Sequence, residues 1–498
     1  MTKSSGFIGL YETMLAGYNR RAEAFTNERH RRERMNDRKQ QQVTRRGFLG
    51  AAAAATAFTV VPRSVLGGAG QTPPSEKVNV AIIGTGGQGI VNMKQLFQEP
   101  DVRIAGLCDV NDESDYSMFY YGGTAGLKPA LELVRQQYGQ PCPTYRDYHE
   151  MLDKENIDAV LVATPDHTHA VVCLAVIGKG KGLYCEKPLC RTVQETRVVT
   201  EAARKAGVAT QLGNFGHSSE DIRLYCEWIW DGAIGDVQEV HAWTTTGARR
   251  WTDLTTRPTD TPPVPAGFDW ERWLEPVPRR PYHPAYAPVR WRSWWQFGSG
   301  TIGDFAVHHL DPAFWALKLD QMDRYSVEAS SYGTTEEVCP AASLIYYHIP
   351  TRAGMPPVRI TWYEGGLMPP RPAELEAGRS VEENGIMFIG TKGTILGEGW
   401  GRSPRIIPET KMRAYKRPAK TLPRVAGHHR NWLDAVKGKG RPSTHFDYAG
   451  PLTEFCLMGN VALRSGKKLD YDAKAMKILN VPEANEFLTP HYREGRTL

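Results

Sequence analysis

The eight cysteines of this 498-residue chain include no CxxC pair and no spacing that suits zinc. Several, such as Cys108 in IAGLCD, lie in apolar strand-like runs, so buried thiols are expected rather than metal ligands or a disulfide framework. A general charge excess is missing as well. The formal net charge is +6, but residues 1–46 alone hold 11 Lys and Arg against 5 Asp and Glu. The remainder is close to neutral, which removes the electrostatic support for nucleic-acid binding. Only one long apolar run exists, roughly 48–61; it is alanine-rich and shorter than the ~20 residues of a membrane span. No internal repeat or low-complexity tract is found beyond the N-terminal region.

What that region does contain is ordered like an export signal. The stretch TRRGFLGAAAAA (44–55) puts paired arginines before the apolar run, and small residues, LGGAG (66–70), follow where a peptidase cuts. Residues 1–69 therefore read as an N-terminal extension and twin-arginine signal. The expected location is periplasmic or otherwise exported, with no membrane attachment once the signal is removed. A plain buried helix remains the alternative. Residues 1–34 are charged and arginine-rich, unlike the start of such a signal, and Met35 offers an alternative start that gives a short basic lead.

From 76 to 212 short β-branched runs alternate with helical stretches, which predicts a doubly wound parallel sheet. KVNVAIIG runs into Gly84-x-Gly86-x-x-Gly89, with Gly87 in the same loop, and then into a helical pattern. In that context Gly84 permits the turn, Gly86 lets backbone approach a pyrophosphate, and Gly89 lets helix pack on strand. A second strand, VRIAGLCD, ends in Asp109, whose carboxylate can accept bonds from both ribose hydroxyls of an adenosine. Asp109 favours NAD over NADP, although an arginine elsewhere can override it.

Residues 213–470 read differently, with many strand-like runs and few helices, and predict an α+β domain with a large, mostly antiparallel open sheet. Residues 471–498 read as a C-terminal tail. A long insertion, 249–299, holds Trp251, Trp270, Trp273, Trp291, Trp294 and Trp295; loops of this length are uncommon unless functional. Each tryptophan can pack in a core or stack on a sugar face. Trp291 and Arg292 are the substrate-binding candidates, and Arg290 and Tyr282 can bind hydroxyls or a neighbouring subunit. In GDFAVHHLD (303–311), Asp304, His308 and Asp311 fall at i, i+4 and i+7, one face of an α-helix. An aspartate beside an imidazole fixes its tautomer and supports its protonated form, so His308 is the expected general base with Asp304 as its partner. Asp304 can alternatively be a helix N-cap. A metal site on His308, His309 and Asp311 is disfavoured because adjacent helical residues diverge, and no metal is expected.

Three islands, the glycine loop with Asp109, CEKP (185–188) and GDFAVHHLD, together resemble the Gfo/Idh/MocA oxidoreductase family over nearly all of residues 77–470. The resemblance extends to glucose-fructose oxidoreductase-like and NAD-dependent glycosidase-like members. It implies that Lys187 reaches the nicotinamide and the reacting hydroxyl, with Glu186 beside it and a cis peptide at Pro188. Lys187, Asp304 and His308 are then the catalytic set. Thr164, Pro165 and His169 in ATPDHTH resemble the loop beside the nicotinamide, where His167 and His169 are either functional or part of a helix start. Asn214 and His217 occupy a strand end where many relatives carry an arginine-phenylalanine pair; both are candidate substrate contacts, and His217 is otherwise structural. The implied function is hydride transfer between tightly bound NAD, or NADP, and a carbohydrate or polyol hydroxyl. Two alternatives stay open: a redox-neutral glycoside hydrolase working through a 3-keto sugar, and a non-catalytic sugar-binding protein. A homodimer or homotetramer through the second sheet is also implied. An exported enzyme without a nucleotide pool would have to restore its cofactor in place, which favours tight binding.

Overall fold

The computed structural model describes residues 76–498 together with Pro73; the export-signal segment lies outside the described residues. Val78–Tyr116 and Gly123–Leu498 form one compact unit, from which the loop Ser117–Gly122 is separate. Within that loop the Gly122 amide donates to Phe119 O at 2.9 Å.

The first sheet is built from β1 (Val78–Ile83), β2 (Val102–Cys108), β3 (Thr144–Tyr145), β4 (Ala159–Val162), β5 (Gly182–Cys185) and β6 (Thr210–Leu212). All are parallel, in the order β3-β2-β1-β4-β5-β6. β4 and β5 are buried along their whole length, as expected of strands covered by helices on both faces. The order reverses between β1 and β4, and in such sheets ligands bind beyond the carboxyl ends at that point. The segments leaving β1, β4 and β5 there are the glycine loop, ATPDHTH and EKP. The topology therefore gathers three motifs that are up to about a hundred residues apart in sequence.

The second sheet contains β7 (Val237–Thr244), β8 (Arg324–Tyr332), β9 (Ala342–Ile349), β10 (Val358–Glu364), β11 (Asn384–Gly390), β12 (Thr394–Glu398), β13 (Arg402–Ile407), β14 (Leu469–Asp472) and β15 (Lys477–Ile478). Their order is β13-β12-β11-β7-β10-β9-β8-β14-β15. β7 and β10 are parallel and the other pairs antiparallel. Strict alternation of buried and half-exposed positions along β9 reflects one face packed inward. That face meets the helix Phe446–Ser465, where Tyr347 Oη donates to Cys456 O at 3.2 Å. A Cβ at Gly459 would lie 2.6 Å from Tyr347 Oη, so glycine sets the helix-to-sheet spacing.

The same long helix also packs against Val193–Ala206 of the first domain, where Arg197 forks onto Glu454 at 2.7 and 2.6 Å. Val193–Ala206 opens with a reciprocal capping box between Thr192 and Glu195 and ends at left-handed Gly207. Residues 471–498 are more than a tail: β14 and β15 carry the second sheet to Ile478, and the Arg493 amide donates to Pro276 O at 2.7 Å. Strands of two to four residues carry too few alternations to register as a periodic pattern.

The tryptophan-rich insertion folds on itself. Phe268, Trp270, Trp273, Tyr282, Tyr286, Trp291, Trp294 and Phe297 are buried in one cluster, with Trp270 and Trp273 stacked at 4.7 Å. All six tryptophans are at most 7 % exposed, so the insertion is an aromatic core and its rings are not an open sugar-stacking surface. Seven of the eight cysteines are likewise buried.

Glu364, at the end of β10, is 1 % exposed. It accepts from Ser343 Oγ at 2.8 Å and Trp362 Nε1 at 3.0 Å, yet burial outweighs these bonds and pushes its pKa up to about 7. A carboxyl raised on folding favours the folded state while protonated and loses that contribution as pH rises from the unfolded value through about 7. Glu364→Gln keeps the shape without the charge. The variant is expected to be the more stable form at pH 8, by up to about 3 kcal/mol, with the gap closing by pH 4; thermal melts across that range check it.

Candidate active site

At the switch point Gly84 has φ of 90°, and a Cβ there would lie 2.6 Å from the Ala163 carbonyl. A Cβ at Gly89 would lie 2.0 Å from Gly84 O. Both glycines are therefore demanded by backbone packing. Gly86 is the N-cap of the helix Gly87–Leu96, and no side chain caps that helix and no acidic residue lies in its first turn. Its leading amides face the loop, the arrangement that suits a phosphate. The space over Gly86 is not empty, because Tyr116 Oη lies 2.8 Å from where a Cβ would stand.

Asp109, just beyond β2, accepts from the Thr85 amide at 2.6 Å and Thr85 Oγ1 at 3.0 Å, and from the Asn111 amide at 2.9 Å. Burial raises its pKa against the pull of these bonds. The carboxylate thus fastens the glycine loop to β2, a role the sequence reading missed, and retains lone pairs for a ribose.

Thr164 Oγ1 is buried with no hydrogen-bond partner among the described residues, a group that a bound nucleotide would satisfy. Pro165 is the N-cap of the helix Asp166–Gly178. His169 is buried between two motif loops, its ring nitrogens 2.8 Å from Pro188 O and 2.9 Å from Thr164 O. It ties the two loops together. His167 does the same for the insertion, with Nε2 2.8 Å from Trp273 O. Uncapped amides, a glycine cradle and an orphaned hydroxyl at one switch point fit a dinucleotide.

Lys187–Pro188 is cis, as the resemblance implied. Glu186 is buried and accepts from Asn92 Nδ2 at 2.8 Å and Gln88 Nε2 at 3.2 Å, tying the turn to the glycine-loop helix. Lys187 Nζ donates to Asp304 Oδ1 at 2.5 Å and to Asp304 O at 2.7 Å. Burial would raise the Asp304 pKa, but Lys187, Arg292 and Arg250 outweigh it and hold the carboxylate below its usual range.

The expected pairing of Asp304 with His308 does not form. Ile302–Ala306 is a π-helical turn, and its wider winding takes the two residues off a common α-helical face. Asp304 pairs with Lys187 instead. His308 Nδ1 lies 2.7 Å from Asn214 Oδ1, and its ring is 5.5 Å from that of Phe215 and 6.3 Å from that of Trp400. Burial first, then Lys187, holds the His308 pKa well below the ordinary histidine value. Asp311 turns away from the cleft toward Asn214, His217 and Tyr448.

His217 is 2 % exposed, 3.0 Å from Asp311 and stacked on Trp315 at 4.3 Å, so its ring is held by core partners. Asn214 is likewise fully buried, its amide occupied by protein. Arg292 does reach the site, with Nε 3.7 Å from Asp304 Oδ2 and its guanidinium 4.2 Å over Trp291. Trp291 is buried behind that arginine as its platform. Arg250, over Trp251 at 4.9 Å, joins the same charge cluster; nothing in its sequence neighbourhood marks it. His309 points away from the cleft, 2.9 Å from where a Cβ on Gly399 would lie, and no cluster able to hold a metal occurs among the described residues.

Strand order, glycine loop and uncapped helix define a dinucleotide-binding architecture. The chain belongs to the Gfo/Idh/MocA family. Residues 78–214 match its oxidoreductase family model for the NAD-binding Rossmann fold, and residues 231–349 match its C-terminal alpha/beta domain; the two cover just over half of the chain. Among curated relatives, a glycosyl hydrolase family 109 protein of Stenotrophomonas maltophilia is 28% identical over 207 residues, covering 40% of this chain and 42% of that protein. A levoglucosan dehydrogenase of Pseudarthrobacter phenanthrenivorans is 27% identical over 168 residues, 34% of this chain and 35% of its own. The chain thus matches about two fifths or less of the length of these relatives. A solved structure of the WlbA dehydrogenase from Bordetella pertussis, in complex with NADH and UDP-GlcNAcA, is similar with a TM-score of 0.53 at 16% identity. It covers 79% of this chain and 98% of its own, and at that identity it shows a shared fold.

Proposed function

We propose that the protein is an oxidoreductase that transfers hydride between tightly bound NAD, or NADP, and a carbohydrate or polyol hydroxyl. The observation that carries this reading is the Lys187–Asp304 pair, 2.5 Å apart, at the end of β5 beside the glycine loop, with the buried His308 close enough to feel the Lys187 charge. The nicotinamide, when bound, supplies the hydride acceptor or donor. Lys187, with its charge anchored by Asp304, donates a hydrogen bond to the substrate oxygen and stabilises negative charge as it develops there. Burial and Lys187 disfavour the His308 cation, which leaves the imidazole able to accept the hydroxyl proton. Arg292 and Arg250 flank Asp304 and keep it ionised.

Export by the twin-arginine route is part of the proposal, supported by the order of elements in 44–70. So is assembly into a homodimer or homotetramer through the half-exposed face of the second sheet, where Leu344 and Tyr346 alternate with buried neighbours. Similarity to a protein named for glycosyl hydrolase family 109 favours a second reading, a redox-neutral hydrolase that oxidises a sugar at C3, eliminates its aglycone, adds water and returns the hydride.

Identifying the nucleotide released from purified, unsupplemented protein, followed by turnover of free sugars and glycosides, tests both. Oxidised sugar is the expected product. Free sugar released from a glycoside without added nucleotide would select the hydrolase, and failure to bind either NAD or NADP would overturn both in favour of a non-catalytic sugar-binding protein.

A further inference from the structure

We infer that Asn214 and Asp311 form a positioning relay that fixes the proton of His308 on Nδ1 and so leaves the Nε2 lone pair as the base. The inference rests on the base role proposed for His308. Its logic is one of donors and acceptors. The Asp311 carboxylate, 1 % exposed, only accepts hydrogen bonds. The group of Asn214 that faces it at 2.9 Å is therefore the NH2. The carbonyl of the same amide must then point the other way, toward His308 Nδ1 at 2.7 Å, and a carbonyl only accepts. Nδ1 carries the hydrogen, and Nε2 is left without one.

Asp311 is itself held in place, by Tyr448 Oη at 2.5 Å and His217 Nδ1 at 3.0 Å, so the relay ends in a fixed anchor behind the cleft. Interposing an amide has a consequence that a direct carboxylate would not. A carboxylate against Nδ1 would select the same tautomer but also stabilise the imidazolium; the neutral amide selects the tautomer alone. The protein thus sets which nitrogen is the base without raising the basicity that burial has lowered. The cationic or titratable groups that act on His308 are Lys187 from the turn after β5, His309 on its own helix and His428 from the helix His428–Val436; each disfavours the imidazolium, and none is a carboxylate.

Histidine-selective 13C,15N labelling of the full chain, with assignment of His308 by its loss in His308→Gln, reads the tautomer without any turnover. The expected result is the Nδ1–H form in the unmodified protein, and the Nε2–H form there would overturn the relay outright. Asp311→Asn lets the Asn214 amide turn over. It is expected to give mixed tautomers and a kcat lower by about tenfold or more with KM unchanged. Asn214→Asp made together with Asp311→Asn, which gives the new carboxylate an amide donor in place of a second carboxylate, puts a charge on Nδ1 and is expected to move the acid limb of kcat upward by about one pH unit or more. A purely structural role for these residues would lower melting temperature and leave tautomer and acid limb unmoved, which also overturns the proposal. Protein that turns over no sugar yet shows the Nδ1–H tautomer, lost in Asp311→Asn, supports the relay and removes the oxidoreductase reading; full turnover with Nε2–H does the reverse.

Discussion

Lys187→Ala is expected to lower turnover by about a thousandfold while leaving the bound nucleotide in place. Its ammonium is the one side-chain cation that the EKP turn delivers to the end of β5, and it is held there by two bonds to residue 304, at 2.5 and 2.7 Å. Removing a positioned donor to developing negative charge typically costs a factor of a hundred to a thousand. Here the same truncation also relieves the charge that Lys187 places on His308, so the remaining base would be protonated at a higher pH than before. The acid limb of the residual activity is therefore expected to move upward, which a simple loss of folding would not produce. Asp304 keeps Arg292 at 3.7 Å, so the carboxylate is not stranded and the variant is expected to fold. Nucleotide content by mass spectrometry, melting temperature and kcat against pH form the measurement. Turnover within threefold of the unmodified protein, with nucleotide retained, would remove Lys187 from the chemistry and with it the hydride-transfer reading.

Much of this site was legible in the sequence because its parts are short and local. GxGxxG after a β-branched strand, EKP after another, and the helical run of 303–311 each declare the residues that matter within ten positions, and their strands declare a parallel sheet. The partners of those residues were not legible, because they come from far along the chain. Asn214 reaches His308 and Asp311 across more than ninety positions, and no periodicity links them. Spacing alone put Asp304 beneath His308; one π turn undid that pairing and gave Asp304 to Lys187. Composition also misled in the insertion. Six tryptophans near a sugar-binding candidate invite a stacking platform, but such rings bury large apolar areas and prefer each other; here Trp291 holds up Arg292 and the Trp273 backbone carbonyl anchors His167. The burial of His217 follows the same rule: a histidine beside a catalytic segment still goes to the core when a carboxylate and an indole are waiting there.

The second large effect is expected from one methyl group. In Gly89→Ala the new Cβ would stand 2.0 Å from Gly84 O and 3.0 Å from Gly84 C, both backbone atoms. Neither side can yield cheaply. Gly84 is pinned by its amide, which donates to Cys108 O at 2.8 Å, and by the Ala163 backbone at 2.6 Å from its own notional Cβ. The helix Gly87–Leu96 must move instead, and it carries Gln88 and Asn92, the two side chains that hold Glu186. The displacement would thus pass from the phosphate-facing amides to the turn that presents Lys187. Overpacking of this kind costs about 3 kcal/mol, and a comparable loss in nucleotide affinity is about a hundredfold in Kd. Gly178→Ala is the control, because that helical glycine has nothing within 4 Å of a Cβ and no positive φ; it is expected to be neutral or slightly stabilising. A Gly89→Ala protein that keeps both its melting temperature and its nucleotide would show that the close approach of helix to loop is not what this cradle requires.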